Sequence, residues 1–114
     1  MHVNLHQVRY FLALCEERSF TRAARRCGIA QPSLTQAIQK LEGECGGALF
    51  ERNRSSVDLT KLGTLVRSEF LRIDLALADL TRAIADAHSA SQRSRDDQDL
   101  HNRNSHASAL PVTD

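Results

Sequence analysis

Several residue types are scarce in this chain of 114 residues, and each shortage narrows what the protein can be. Trp is absent, aromatic residues amount to 4%, and no apolar run reaches the length of a signal peptide or a membrane span. We therefore expect a cytoplasmic protein. The apolar fraction of 41% is ordinary, so the chain suffices for one small domain and an appendage.

Cysteine and histidine are too scattered for a metal site. Cys15, Cys27 and Cys45 are odd in number and occupy apolar positions of predicted helices, which favours reduced core thiols in a cytosolic protein. The five histidines lack ligand spacing and lie towards the two ends of the chain. We expect no metal and no cofactor. Because no Ser–His–Asp or Cys–His arrangement can be assembled either, we expect that the protein is not an enzyme.

Charge is unevenly distributed, although the net charge is only +1. Residues 1–67 hold ten Lys and Arg against six Asp and Glu, whereas residues 68–114 hold five against eight. A basic N-terminal half fits contact with nucleic acid.

Residues 21–42 predict two short helices joined by a tight turn. Ala23 and Ala24 allow a close helix approach, and Gly28 suits a left-handed turn position. Pro32 fits the first turn of the next helix, where its missing N–H costs nothing. An apolar stripe follows at spacings of four, three and four residues: Leu34, Ile38, Leu41 and Cys45. This layout predicts a helix-turn-helix.

The other face of the second helix is polar and carries one charge. Its side chains both donate and accept hydrogen bonds, which suits base edges in a DNA major groove. They are Thr35, Gln36, Gln39 and Lys40. On this stretch alone, two amphipathic helices of an ordinary helical domain are an equally good interpretation.

Capping residues mark where two earlier helices begin. Asn4, with Gln7 three residues later, predicts a capping box, and Ser19 predicts the cap of a second helix. Phe20 should fill the gap between the first two helices. The backbone N–H groups at such helix starts can also hold a phosphate.

Two short strands should follow the glycines at 46 and 47. Residues 48–52 and 57–59 flank a polar turn that carries Arg54. Strands in this place predict a wing, whose Arg52 and Arg54 could reach phosphates or the minor groove. The alternative is a solvated hairpin.

Thr60 is predicted to cap a long helix that extends to residue 88. Its apolar residues keep a heptad spacing, and a small winged domain cannot cover a stripe of roughly 43 Å. A second copy of the helix is the simplest cover, and a partner domain outside this chain is the alternative. The predicted homodimer seam is Val66, Phe70, Ile73, Leu77, Leu80 and Ile84.

The last part of the chain, residues 89–114, is rich in Ser, Asp, Asn, Arg and His and loses the apolar period. We predict a disordered tail, because such a segment cannot offset its chain entropy by burial. The predicted fold class is mainly α, with a winged helix-turn-helix of three helices and a two-stranded wing in residues 1–59. A linker helix for dimerisation spans residues 60–88.

With these features the chain resembles the LysR-type transcriptional regulators from about Leu5 to Ala87. The motifs that carry the resemblance stand in the family's order: Tyr10-Phe11, SFTRAA at 19–24, QPSL at 31–34, IQKLE at 38–42, LFER at 49–52, and Leu59-Thr60 with Gly63. The resemblance implies a winged helix-turn-helix followed by a linker helix that dimerises antiparallel with its twin.

The resemblance also implies roles for single residues. Four positions at the start of the second motif helix would contact bases: Gln31, Pro32, Thr35 and Gln36. Ser19 and Thr21 would approach phosphate, and Arg52 and Arg54 would belong to the wing. The full predicted DNA-binding set is Ser19, Thr21, Gln31, Pro32, Ser33, Thr35, Gln36, Gln39, Lys40, Arg52 and Arg54.

Three features depart from the family pattern. The family usually has Leu at Cys45 and a larger apolar residue at Gly47, so the joint before the wing should be thinly packed. It often has Arg at Gln36, and Gln there should favour adenine. The family's effector-binding domain of two α/β lobes is absent, so we expect no small-molecule effector site. A fragment, a truncated gene product and a short DNA-binding protein are all compatible with this.

The sequence thus predicts a dimeric, sequence-specific transcription regulator that binds double-stranded DNA. One alternative is an interaction module that forms heterodimers with full-length relatives through the linker helix. Another is the related winged module of a molybdate-responsive regulator.

Overall fold

The structure is a computed structural model that describes the backbone of residues 1–105 and the side chains of residues 1–95. Its elements are α1 (Leu5–Glu17), α2 (Phe20–Cys27), α3 (Gln31–Cys45), β1 (Phe50–Arg52), β2 (Val57–Leu59) and α4 (Lys61–Ser105). The predicted fold class is therefore confirmed. The chain divides into two compact units, residues 1–76 and the remainder from Leu77.

The helix starts and stops follow the predicted capping residues. Asn4 accepts the N–H of Gln7 at 2.9 Å, and the Gln7 side chain accepts the N–H of Asn4 at 3.0 Å. Ser19 caps α2 by accepting the N–H of Arg22 at 3.1 Å. Gly28 ends α2 in the left-handed region at φ 70°, where a Cβ would be strained.

The core of the first unit is built around Phe11. Its ring centroid lies 5.1 Å from that of Phe50 on the wing and 5.3 Å from that of Phe70 on α4. Ala23 and Ala24 are buried, so α2 can approach its neighbours closely. Other large side chains that are fully buried are Leu14, Leu34, Leu41 and Leu49.

The two strands pair antiparallel, with Phe50 opposite Leu59 and Arg52 opposite Val57. The first strand is shorter than the predicted residues 48–52. Thr60 fixes the junction with α4, because its hydroxyl accepts the N–H of Gly63 at 2.9 Å and donates to the carbonyl of Ala48 at 2.7 Å.

Phe70 belongs to this core, which corrects its assignment to a dimer seam. Its side chain is 8% exposed and meets Phe11 edge-on, and Val66 packs against the same core. The helical period of an apolar stripe is the same whether its cover comes from the same chain or from another. Periodicity alone therefore could not separate the two cases.

The other predicted seam residues are more exposed. Ile73 is 41% exposed in the first unit, and Leu80 and Ile84 are 54% and 49% exposed in the second. The side chain of Leu77 is partly buried. Among the described side chains, these apolar groups have no complete cover.

Helix α4 does not end at residue 88, where the sequence predicts a boundary. It continues to Ser105, so the predicted disordered tail from Ser89 is wrong for residues 89–105. The physical reason is that α-helical backbone bonds need no buried face, and neither Gly nor Pro interrupts the chain between Gly63 and Pro111. The rest of the predicted tail, residues 106–114, lies outside the described residues.

The three cysteines are free thiols with intermediate burial. Burial raises the pKa of Cys15 to about 12, and it also raises the pKa values of Cys27 and Cys45. In residues 1–105 no helix is long and apolar enough to cross a membrane.

Candidate nucleic-acid interface

The exposed face of α3 carries most of the predicted DNA-contacting residues. Pro32, Gln36 and Lys40 are exposed and follow one another at intervals of four residues, so they form one row along the helix. Ser33 and Gln39 are exposed beside this row, Gln31 is exposed at the first position of α3, and Thr35 is partly buried. This surface offers amide and hydroxyl groups with a single cation.

The opposite stripe of α3 holds the helix in place. Leu34, Ile38 and Leu41 are buried in the core, as the spacing predicts, whereas Cys45 is only partly buried. Because this stripe is fixed, the polar row must face outward. Ala30 caps α3 without a side-chain hydrogen bond, and proline lies in the first turn, as predicted.

The start of α2 lies next to the start of α3. The hydroxyl of Thr21 donates to the side-chain oxygen of Gln31 at 3.1 Å, so two predicted contact residues are paired across the turn. Ser19 is partly buried, and its hydroxyl oxygen is engaged in capping α2. Of these two hydroxyl residues, Thr21 is the more exposed.

The two wing arginines occupy different places. The guanidinium of Arg52 lies over the ring of Phe20, 4.2 Å from its centroid, which is a cation–π contact. Arg54 is exposed in the turn between the strands. Sequence reasoning grouped them as wing residues, but Arg52 lines a cleft between α3 and the wing together with Phe20, Thr35, Ile38, Gln39, Glu42 and Phe50.

Glu42 joins α3 to the wing, a role that was not predicted from the sequence. Its carboxylate accepts the N–H of Leu49 at 2.7 Å and the N–H of Phe50 at 3.4 Å. These bonds set the position of the first strand relative to α3. The only hint in the sequence is that Glu42 is an acidic residue shortly before the glycines at 46 and 47.

Arg18 supports the wing from the other side, and it too was missed. It ends α1 in the left-handed region at φ 54°, forms an ion pair with Asp58, and accepts the N–H of Val57 at its carbonyl at 3.2 Å. Asp58 also accepts a hydrogen bond from the amide of Asn53. No local sequence signal reports contacts between residues forty positions apart.

The cations near α3 fall into two groups. Arg22 and Arg26 face the carboxylates of Glu17 and Glu16, and the hydrogen bond that Arg26 donates to Glu16 raises the pKa of Arg26. Arg25, Lys40 and Arg54 form no ion pair with any side chain of residues 1–95. Lys40 and Arg54 therefore remain available to an anion such as phosphate.

Among the described residues, no group of three or more His, Cys, Asp and Glu side chains could hold a metal ion.

Comparison with known proteins supplies the family context. The model of a family described as bacterial regulatory helix-turn-helix protein, lysR family, matches residues 5–64. The transcriptional regulator BudR of Klebsiella aerogenes is 46% identical over 77 residues, which are 68% of this chain and 53% of BudR. ClcR of Pseudomonas putida is 38% identical over 90 residues, which are 79% of this chain and 30% of ClcR.

Solved structures agree with the fold. The crystal structure of a CbnR_DBD–DNA complex matches with a TM-score of 0.66 and 32% identity, over 75% of this chain and 99% of that one. A BenM_DBD complex with catB site 1 DNA matches with a TM-score of 0.65 and 37% identity, over 73% of this chain and 91% of that one. The chain spans about half of BudR and less than a third of ClcR.

Proposed function

Because the chain belongs to the lysR family of bacterial regulatory helix-turn-helix proteins, we propose that it is a sequence-specific transcription regulator. It binds double-stranded DNA in the cytoplasm as a homodimer. One observation carries the proposal: an exposed row of Pro32, Gln36 and Lys40 on α3, backed by a buried stripe that fixes its direction.

In this proposal α3 enters the major groove with its first three turns against the base edges. Gln36 presents an amide that can pair in a bidentate manner with adenine, which offers one donor and one acceptor. Thr35 and Gln39 stand beside it on the side towards the wing. Gln31 is held by Thr21, so its amide is oriented before DNA arrives.

The phosphate contacts flank this helix. Arg54 projects from the wing turn and can reach a phosphate or a narrow minor groove. Thr21 and the first N–H groups of α2 approach a phosphate on the other side. Arg52 is held over Phe20, which restricts its guanidinium to the cleft beside α3.

The dimer forms through apolar residues of α4 that are exposed or only partly buried in the single chain. Ile73, Leu77, Leu80 and Ile84 keep one helical stripe, and a second copy of the same stripe is their simplest cover. Because such a dimer has two-fold symmetry, we expect it to bind two DNA half-sites in inverted orientation. The proposal omits Phe70 and Val66, which pack against the core of their own domain.

The test is direct DNA binding by the purified protein. A preferred duplex is selected from random DNA, and its affinity is compared with that of a scrambled duplex at several salt concentrations. We expect preference for the selected duplex and a linear fall of log affinity with log salt. If no duplex binds at low salt, an interaction module that pairs through α4 replaces this proposal.

A further inference from the structure

Helix α3 exposes three glutamines, and Gln31 is the one whose side chain has a partner in the described part of the chain. The hydroxyl of Thr21 donates to its amide oxygen at 3.1 Å. The amides of Gln36 and Gln39 form no hydrogen bond with any described residue. The three amides therefore differ in which of their atoms are free to meet DNA.

The backbones that carry the Thr21–Gln31 pair are fixed by local contacts. Thr21 lies in the first turn of α2, which Ser19 caps, and Gln31 is the first residue of α3. The turn between the two helices is held where the N–H of Ile29 donates to the carbonyl of Ala24 at 3.0 Å. The pair therefore joins two helix starts whose positions are set by the fold.

The direction of this hydrogen bond decides what the amide of Gln31 can offer. An amide oxygen can only accept, so the hydroxyl of Thr21 is the donor. The oxygen of Gln31 is thereby held towards α2. The NH2 group on the other branch of the same planar amide keeps both hydrogens and donates to no described residue. Gln31 thus has two donors to present to a ligand.

We propose that Thr21 makes Gln31 select guanine in the major groove. The inference rests on the proposed function, which places the start of α3 against base edges. Guanine presents two neighbouring acceptors there, N7 and O6, whereas adenine presents the acceptor N7 beside the donor N6–H2. An amide that offers donors alone matches guanine, and it opposes the adenine amino group with another donor. Cytosine, which presents a donor, is disfavoured for the same reason.

Gln36 gives the opposite expectation for the same type of side chain. Its amide oxygen and NH2 group are both free, so it can form a bidentate pair with adenine. A residue of α2 would then decide that two glutamines of α3 select different bases. Thr21 is a positioning residue in this inference. Because its hydroxyl hydrogen is used by Gln31, a phosphate beside the start of α2 meets the backbone N–H of Thr21 instead.

The experiment measures base preference at single positions of the DNA site. Wild type selects a preferred duplex from random DNA, and Gln31→Ala identifies the position that Gln31 contacts, because the preference is lost there. Fluorescence anisotropy then gives the affinity for duplexes that carry each of the four base pairs at this position. Thr21→Val removes the hydroxyl and keeps the shape of the side chain, whereas Thr21→Ser keeps the hydroxyl. Circular dichroism confirms that each variant is folded.

We expect wild type to prefer guanine to adenine at this position by about tenfold, which is the discrimination that a pair of base-edge hydrogen bonds supplies. Thr21→Val frees the amide oxygen for the adenine amino group, so the preference for guanine should be lost. Thr21→Ser should behave as wild type. In the Gln31→Ala background, adding Thr21→Val should change nothing at this position. The adenine preference at the position of Gln36 is the internal control and should be the same in all these variants.

A wild-type preference for a base other than guanine overturns the inference, and adenine or cytosine would mean that the amide presents its oxygen to DNA. A Thr21→Val variant that keeps the preference for guanine, or that weakens binding to all four duplexes equally, overturns it as well. So does a Gln31→Ala variant that changes no position. In each of these cases sequence-specific binding survives. If wild type prefers no duplex at all, it is the proposed function that fails, so the two failures are distinguishable.

Discussion

The carboxylate of Glu42, near the end of α3, accepts the backbone N–H of Leu49 at 2.7 Å, just before the first wing strand. The same oxygen accepts the N–H of Phe50 at 3.4 Å. A single side chain at the end of α3 thus holds two residues that follow the glycines at 46 and 47.

Replacing Glu42 by Ala should therefore detach the wing from α3. Loss of the two bonds leaves partly buried N–H groups unsatisfied, and we expect a cost of about 1–3 kcal/mol in the free energy of unfolding. Urea denaturation at fixed protein concentration measures this. Glu51→Ala is the control, because Glu51 is exposed on the wing and should change stability little. Equal losses in the two variants would show that the Glu42 bonds contribute nothing specific.

A pair of glycines gives opposite predictions for the same substitution. At Gly63 a Cβ would clash with the carbonyl oxygen of Leu49, so Gly63→Ala must push α4 away from the segment that leads into β1. We expect a loss of about 1–3 kcal/mol or more. At Gly43, in the interior of α3, a Cβ meets nothing within 4 Å.

Gly43→Ala should consequently stabilise the protein by about 0.5–1 kcal/mol, since alanine costs less entropy in a helix. Thermal unfolding of both variants beside wild type checks the signs. A destabilised Gly43→Ala, or a neutral Gly63→Ala, would contradict this packing.

Several local features of the structure could be predicted from the sequence. The helix starts at Asn4 and Ser19, the left-handed Gly28 and the buried stripe of α3 follow from signals within a few residues, and the structure has all of them. The outward row of α3 follows from the same period. Local patterns therefore define most of the candidate interface.

Contacts between distant residues carry no such signal. The Arg18–Asp58 ion pair and the Arg52–Phe20 stacking join residues more than thirty positions apart, and neither has a local pattern. Phe70 was misassigned because one helical stripe can serve a core or a partner equally well. The helix beyond Ser89 was not predicted. The polar composition there shows only that the segment has few apolar residues to bury, and it does not report helical propensity.

The dimer proposal can be tested at the part of the stripe that is exposed. Leu80→Asp places a charge in the seam and should give a folded monomer, because Leu80 is 54% exposed in the single chain. Leu75→Asp is the matched control: Leu75 is 64% exposed but lies about 140° around the helix from Leu80. Sedimentation should show a monomer for the first variant and a dimer for the second. An unchanged dimer in Leu80→Asp would refute the seam.

Burial of Cys15 predicts a loss of stability at high pH. Desolvation raises the pKa of its thiol from 9.0 to about 12, against the opposing effect of Arg67. The folded state therefore retains a proton that the unfolded state releases, and this contribution is complete below pH 9 and lost as the pH rises towards 12. Urea denaturation between these limits should show wild type losing more stability than Cys15→Ala. If the stability of wild type and that of Cys15→Ala changed in parallel with pH, the raised pKa of the Cys15 thiol would be contradicted.

The sharpest prediction separates base contact from phosphate contact in the proposed interface. Gln36 lies in the middle of the exposed row of α3, and a bidentate amide–adenine pair discriminates against a wrong base by roughly 1–3 kcal/mol. Gln36→Ala should therefore lose affinity for the selected duplex and leave binding to scrambled DNA almost unchanged.

Arg54 stands in the wing turn and contacts the DNA backbone in this proposal. Arg54→Ala should weaken binding to both duplexes and reduce the salt slope by about one unit. Both side chains are exposed, so neither substitution should alter folding. Titrations of the two variants against both duplexes at several salt concentrations give the comparison. If Gln36→Ala weakened both duplexes equally, α3 would be holding the DNA backbone, and sequence recognition would have to come from another part of the protein.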